Sequence, residues 1–130
     1  MLATWTIDGS ACTDLPATVA EFNRVFAAAW KDHAWTGNLD SFNDLLSWIN
    51  SGVGPCAIHW NHSAEARESL GYPATVDWLR DKVHVAGKNS DAAKAWKREL
   101  TRAEKGKGET MFDRLLELME AHGHLQVTLA

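Results

Sequence analysis

Cysteine is scarce in this chain: 130 residues hold only Cys12 and Cys56, far apart in sequence. Two distant thiols make no disulfide framework, and a reducing cytoplasm is the compartment they fit. Long apolar runs are also missing. None approaches the roughly 20 residues needed to cross a bilayer, so no membrane association is expected. The opening Met1-Leu2-Ala3-Thr4-Trp5 has neither a basic segment nor an apolar one, and no secretory signal is expected. No repeat of 20–50 residues occurs. Catalytic signatures are absent as well: there is no G-x-S-x-G, no H-E-x-x-H and no paired-cysteine motif.

What remains is a sequence able to build a core. It is 45% hydrophobic and carries seven Trp, which argues against disorder. Its length suits a single domain spanning 1–130, burying roughly two-thirds of its unfolded surface. The formal net charge of −4 is unevenly spread. Residues 1–62 carry six acids and two bases, residues 63–107 ten bases and seven acids, and residues 108–130 four acids and one base. Two acidic ends flank a basic middle, an asymmetry that bears on partners rather than on fold.

Periodicity outlines the elements. Residues Ala3 to Ile7 alternate as a half-buried strand. A helix then runs from a Thr13 or Asp14 cap, with Pro16 in its first turn and Leu15, Val19, Phe22, Phe26 and Trp30 as its buried stripe. Lys31 to Gly37 is a loop. Asn38 is a plausible cap for a second helix, whose apolar side is Leu39, Phe42, Leu45, Leu46 and Ile49 and which stops at Gly52-Val53-Gly54-Pro55. Cys56 to Trp60 reads as a nearly continuous apolar strand central to a parallel sheet. A short helix from Ser63 to Gly71 follows, then one from Tyr72-Pro73, a turn over Gly87 to Ser90, and an Ala- and Lys-rich helix from Asp91 to Lys105. The last helix spans Glu109 to His122, Gly123 ends it, and His124 to Leu129 is a strand with Leu125, Val127 and Leu129 inward. Helical crossovers between strands imply a parallel sheet, small enough to leave one face open. The expected class is α/β, with a helical insertion at about 71–107.

Three features invite a chemical reading. Cys56, His59 and His62 have ligand-like spacing, but Cys56 and His59 fall on opposite faces of a strand, and scattered histidines are the ordinary reading of all six. His122 and His124 straddle a helix stop with no obvious partner. Gly106-Lys107-Gly108-Glu109-Thr110 follows a helix and lacks the spacing and the Lys-Ser/Thr pair of a phosphate loop. No metal, cofactor or enzymatic activity is therefore expected. The basic segment 94–107, with Lys94, Lys97, Arg98, Arg102, Lys105 and Lys107, could contact phosphates or another protein, but interleaved acids leave only a modest field. Nucleic acid is not the expected partner, and an RNA-binding or protein-interaction module built on that segment is the alternative reading.

The second helix is the informative element. Asp40, Asn43, Asp44 and Ser47 share the side opposite its apolar stripe. The helix dipole favours Asp40 in the first turn but fades before Asp44. Paired carboxylates with few bases nearby, beside Trp35 and Trp48, suit a surface for a basic partner.

The run Trp35-Thr36-Gly37-Asn38-Leu39-Asp40-Ser41-Phe42-Asn43-Asp44-Leu45-Leu46 resembles the signature of the barstar family, intracellular inhibitors of small secreted ribonucleases. The resemblance covers roughly residues 1–65 and 108–130. Residues 71–107 have no counterpart in the smallest member, though longer members carry a comparable insertion and a run like Gly106 to Asp113. The resemblance implies a three-stranded parallel sheet packed by helices, and an inhibitor whose second helix and preceding loop plug a ribonuclease cleft. Its carboxylates would stand where an RNA phosphate stands among the enzyme's cations. Asp44 matches the family's central inhibitory aspartate and Asp40 the aspartate at the helix start. Trp35 matches an aromatic position, while Ala34 replaces the second aromatic and Asn43 stands where the smallest member has tryptophan. Asn38, Gly37 and Ser47 complete the implied contact face. The family's acidic contacts on the last helix fall near Leu118 and His122 and do not carry over; Glu117 and Glu120 lie close by. The expected partner is a basic ribonuclease.

Overall fold

The computed structural model describes residues 2–87 and 89–130, with backbone only at Asn50. Ten elements follow in order: β1 (Ala3–Asp8), a short 3₁₀ turn (Gly9–Ala11), α1 (Leu15–Trp30), α2 (Leu39–Gly52), β2 (Cys56–Asn61), α3 (Ser63–Ser69), α4 (Tyr72–Ala86), α5 (Asp91–Glu104), α6 (Met111–Ala121) and β3 (Leu125–Leu129). The three strands form a parallel sheet in the order β1-β2-β3, so the apolar run at Cys56 is central as expected. The protein is α/β.

The register sorts the two faces of the sheet. Trp5, Ile58 and Val127 align across the strands, as do Ala3, Cys56 and Leu125. Together with Ile7 and Trp60, this face packs on the helices. The alternate positions Thr4, Thr6, Gln126 and Thr128 are exposed, so the sheet has one open, polar face. Leu129 was expected inward but is 37% exposed, because it pairs with Trp60 at the very end of the edge strand.

Beneath the packed face lies an aromatic cluster. Phe22 sits 5.5–6.1 Å, centroid to centroid, from Phe26, Trp35, Phe42 and Trp60, in edge-on or tilted contacts that aromatic quadrupoles favour. Trp60 stacks on Phe112 at 4.7 Å, tying α6 into the same cluster. Gly9 is required where β1 ends: a Cβ there would collide with the backbone carbonyl of His62.

Helix ends follow the capping residues. Asp14 Oδ1 accepts from Ala17 N, Asn38 Oδ1 from Ser41 N and Ser90 Oγ from Ala93 N. Thr110 and Asp113 form a reciprocal capping box, which moves the start of α6 from the expected Glu109 to Met111. The turn expected at Gly87 to Ser90 includes Lys88, which lies outside the described residues.

The insertion is a helical hairpin of α4 and α5 whose buried Trp78, Leu79 and Ala103 continue the main core. Trp78 and Trp96 meet edge to face at 5.6 Å. It docks on α6 rather than on the sheet. Buried Thr75 accepts from Met111 N at 2.7 Å through Oγ1, and the Arg114 guanidinium lies 5.2 Å over the Trp78 ring while reaching Glu99 at 3.4 Å.

Candidate functional site

Helix α2 is braced along its buried side. Trp30 Nε1 donates to Leu45 O at 3.1 Å, and His124 Nε2 donates to Leu46 O at 3.0 Å. The loop before it is equally tied down. Asn23 bonds both backbone groups of Trp35, and Trp35 Nε1 donates to Asn38 O at 2.8 Å. Gly37, at φ +104, makes the left-handed turn that sends Trp35 inward and leaves Asn38 free to cap. A charged face held this way loses little entropy on meeting a partner.

The seven expected contact residues separate into three groups. Asp40, Asn43, Asp44 and Ser47 are exposed along the outer side of α2. Asn38 and Gly37 shape the helix start, and the Asn38 amide oxygen is spent on the Ser41 cap. Trp35, expected on the contact face, is buried instead. At 1% exposure it belongs to the core, stacked 4.7 Å from Phe42, and it has no surface to offer a partner. The exposed aromatic on this side is Trp48, 42% exposed.

Among the described residues no cation lies within salt-bridge distance of Asp40 or Asp44. The two carboxylates line different hollows. Asp40 and Asn43 border a groove of about 380 Å³ between α2 and α6, completed by Leu39, Arg114, Glu117 and Leu118 among others. Asp44 borders a smaller hollow of about 210 Å³ with His33, Ala34, Ser41, Leu45 and Trp48. Glu117 therefore shares a groove with Asp40, whereas Glu120 does not line it. Glu109 also lines the groove; its carboxyl is raised above the usual range by a hydrogen bond to Glu117, by burial and by the Glu117 charge.

His122 and His124, expected to lack partners, both reach α2. His122 Nε2 lies 2.8 Å from Asn43 Oδ1, and the two imidazoles meet edge-on at 5.5 Å. Burial, then the neighbouring His124, lowers the His122 pKa. Asn43 is thus a bridge between α2 and the end of α6.

Neither thiol suits nucleophilic chemistry. Burial pushes Cys12 up to about 11 and also raises Cys56, and both are free and enclosed. Among the described residues no group of three His, Cys, Asp or Glu side chains is placed to hold a metal ion, and no helix is long and apolar enough to cross a membrane. The basic segment lies along α5 and the turn after it. Lys94, Lys97 and Arg98 are exposed there, while Glu99 and Glu104 turn to Arg114 and Arg80.

Sequence periodicity placed Asp40 and Asp44 on one side of a helix. It did not reveal the two hollows, because each is completed by residues from another segment. The one local signal was Trp48, a helical turn beyond Asp44. No family model matches the chain, and no curated protein or solved structure is significantly similar to it.

Proposed function

We propose that this chain is a barstar-like inhibitor of a small basic ribonuclease, an immunity protein acting in the cytoplasm and not an enzyme. The observation that carries this reading is the pair of exposed carboxylates, Asp40 and Asp44, on a rigidly braced helix with no counter-ion among the described residues. Like charges at i and i+4 cost an isolated helix about 0.2–0.5 kcal/mol, and Asp44, past the first turn, has no helix-dipole benefit to offset that cost. A ribonuclease cleft is lined with cations aimed at phosphate, and carboxylates accept charge-assisted hydrogen bonds from the same donors. Acidic α2 would draw such an enzyme in by long-range attraction and then block substrate entry.

The α/β fold is compatible with the barstar-like arrangement, in which a parallel sheet supports the inhibitory helix from behind. The basic segment supports RNA binding less well. Single-stranded RNA is usually held by exposed aromatic rings beside cations, and the aromatic of α5, Trp96, is turned onto Trp78 inside the hairpin.

The test is an RNA-cleavage assay with ribonuclease toxins from the source cell, with and without this chain, after pull-down of the cognate enzyme. Inhibition at one-to-one stoichiometry is expected, strongly weakened by Asp44→Ala and less by Asp40→Ala. A tight cognate complex indifferent to Asp44→Ala would sink the mechanism. Salt-sensitive RNA binding abolished by neutralising Lys94, Lys97 and Arg98, with no nuclease bound, would transfer the function to the basic segment.

A further inference from the structure

The turn from Gly106 to Thr110 lacks the sequence pattern of a phosphate loop, yet the fold surrounds it with cations from three segments. Arg102 of α5, Lys107 of the turn and Arg114 of α6 line one hollow of about 140 Å³, and Gly108 forms part of its wall. The ending of α5 sets this up. Lys107 N donates to Arg102 O and Gly106 N to Ala103 O, each at 2.9 Å, with Gly106 at φ +70. This is a Schellman ending, which brings positions 102 and 107 together, commonly through an apolar contact. Here both are cations, and neither forms a salt bridge among the described residues. The Arg102 guanidinium lies against Gly108, where a Cβ would come within 3.9 Å of it. Tyr72 Oη donates to Gly108 O at 2.9 Å and pins the turn from α4. The helix dipole accounts for cations at the end of α5. It does not account for Arg114, which stands in the first turn of α6, where the dipole favours an acid. Arg114 Nε donates to Glu109 O and Nη2 to Glu99 Oε1, each at 3.4 Å, which leaves Nη1 without a protein acceptor among the described residues. The carboxylates of Glu99 and Glu109 also line the hollow, but neither answers Arg102 or Lys107. Glu99 pairs with Arg114, and the Glu109 carboxyl, bonded to Glu117 of the neighbouring groove, keeps its proton more readily than an ordinary one.

We propose that this hollow is an oxyanion site that binds one phosphate group, inorganic phosphate or the terminal phosphate of a small ester, among Arg102, Lys107 and Nη1 of Arg114. Guanidinium groups present N–H donors in a fork that matches phosphate oxygens, and the lysine adds a point charge. A volume of about 140 Å³ equals about four or five waters at roughly 30 Å³ each, enough for a phosphate with part of its hydration and too little for a base and sugar. A phosphate there would touch α5, the turn and α6 at once, and so clip the end of the insertion to the scaffold. The site is independent of the inhibitor reading and of the α2 face.

The experiment titrates the full chain with inorganic phosphate, sodium chloride being adjusted to hold ionic strength constant. NMR follows the backbone amides of Lys107, Gly108 and Glu109 and the Nε–H groups of Arg102 and Arg114. Saturable shifts centred on these groups are expected. Arg102→Gln and Lys107→Gln should each weaken binding about 3- to 10-fold, and the pair together should remove it. Both side chains are exposed and outside any salt bridge among the described residues, so the urea midpoint should stay unchanged and show that the fold survives. Lys97→Gln with Arg98→Gln removes the same charge from the open face of α5 and should change binding by less than about 2-fold. Glycerol 3-phosphate, titrated in parallel, separates the two sources: the tighter binder shows whether the hollow takes a phosphate ester or the free ion. Shifts that do not saturate, or that chloride reproduces, would overturn the proposal. So would an equal loss in the Lys97→Gln, Arg98→Gln pair. Tighter binding of a short oligoribonucleotide lacking a terminal phosphate would also overturn it, and would make the basic segment an extended RNA surface instead.

Discussion

Two charged helices, α2 and α5, lie at the surface of this protein and handle charge in opposite ways. Helix α2 carries two acids and no base. Helix α5 carries four bases and three acids, a net of one positive charge over 14 residues. Two acids of α5 pair with arginines on neighbouring helices. Glu104 reaches Arg80 on α4 at 3.5 Å, and Glu99 reaches Arg114 on α6 at 3.4 Å. The aromatic of α5 also faces inward. On α2 the acids bind nothing among the described residues and an aromatic faces out. Helix α5 thus commits two of its three acids to neighbouring helices while its four bases form no salt bridge among the described residues; α2 commits neither of its acids.

The largest expected effect would break that contrast at its acidic end. Once a cognate ribonuclease is identified, Asp44→Ala should weaken the complex by about 2–5 kcal/mol, the general cost of truncating one member of a desolvated charge pair. Titration calorimetry or inhibition kinetics would measure it. Replacing Lys94, Lys97 and Arg98 together by Ser should alter the same affinity by less than about 1 kcal/mol, the scale of exposed pairs. Reversal of these two results would identify α5 as the functional face.

A second prediction concerns how the hairpin is fastened. Thr75 is fully buried, donates to Gly71 O at 2.8 Å and accepts from Met111 N at 2.7 Å. Thr75→Val keeps the shape but strands the Met111 N–H, which should cost about 1–3 kcal/mol in urea unfolding. Faster amide exchange should then spread from α4 and α5 into the start of α6. An unchanged midpoint would mean that the hairpin merely leans on the scaffold.

The acids of α1 and α2 offer a third contrast, in pH. Glu21, 6% exposed, receives Asp8 N–H at 2.8 Å and both Nε and Nη2 of Arg24. Burial alone would raise its pKa, but the Arg24 hydrogen bonds and charge, with the Asp8 N–H, outweigh it and hold the carboxyl below its ordinary value of 4.5. A carboxyl whose pKa is lower folded than unfolded stabilises the protein above the unfolded value. That contribution fades as pH falls through the folded one. Stability should therefore decline below about pH 4.5, and Glu21→Gln should flatten that decline; an unchanged acid limb in the variant would exclude Glu21 as its source. His122 adds a dependence of the same sign at higher pH. Its folded pKa is depressed, so its contribution is complete above the ordinary 6.5 and shrinks as pH drops below it.

These contrasts also mark what was legible in the sequence. The strands, the main helices and the central place of β2 followed from periodicity, because burial on one side leaves a repeat of two or about 3.6. Asp40 and Asp44 were legible for the same reason. Trp35 was misplaced because it lies in a loop, where no repeat indicates which way a ring points; only Gly37 and the Asn23 contacts turn it inward. The reach of His122 to Asn43 spans 79 positions and leaves no local trace. The same holds for the hollow at Trp48, whose far wall comes from the loop carrying His33.

The smallest prediction is the most discriminating about α2. Asp40 lies in the first turn, where the helix dipole favours a negative charge, so Asp40→Asn should leave stability nearly unchanged or slightly lower it. Asp44 lies a turn further on, past the reach of the dipole, and feels mainly the repulsion of Asp40. Asparagine has nearly the same helix propensity as aspartate, so Asp44→Asn isolates the charge. It should raise stability by about 0.2–0.5 kcal/mol at low ionic strength, and the gain should shrink in high salt. If Asp44 instead stabilised the fold, a structural reason for its presence would exist and the functional one would be unnecessary. A residue that costs the isolated protein free energy, and whose removal costs the complex far more, is placed for the partner.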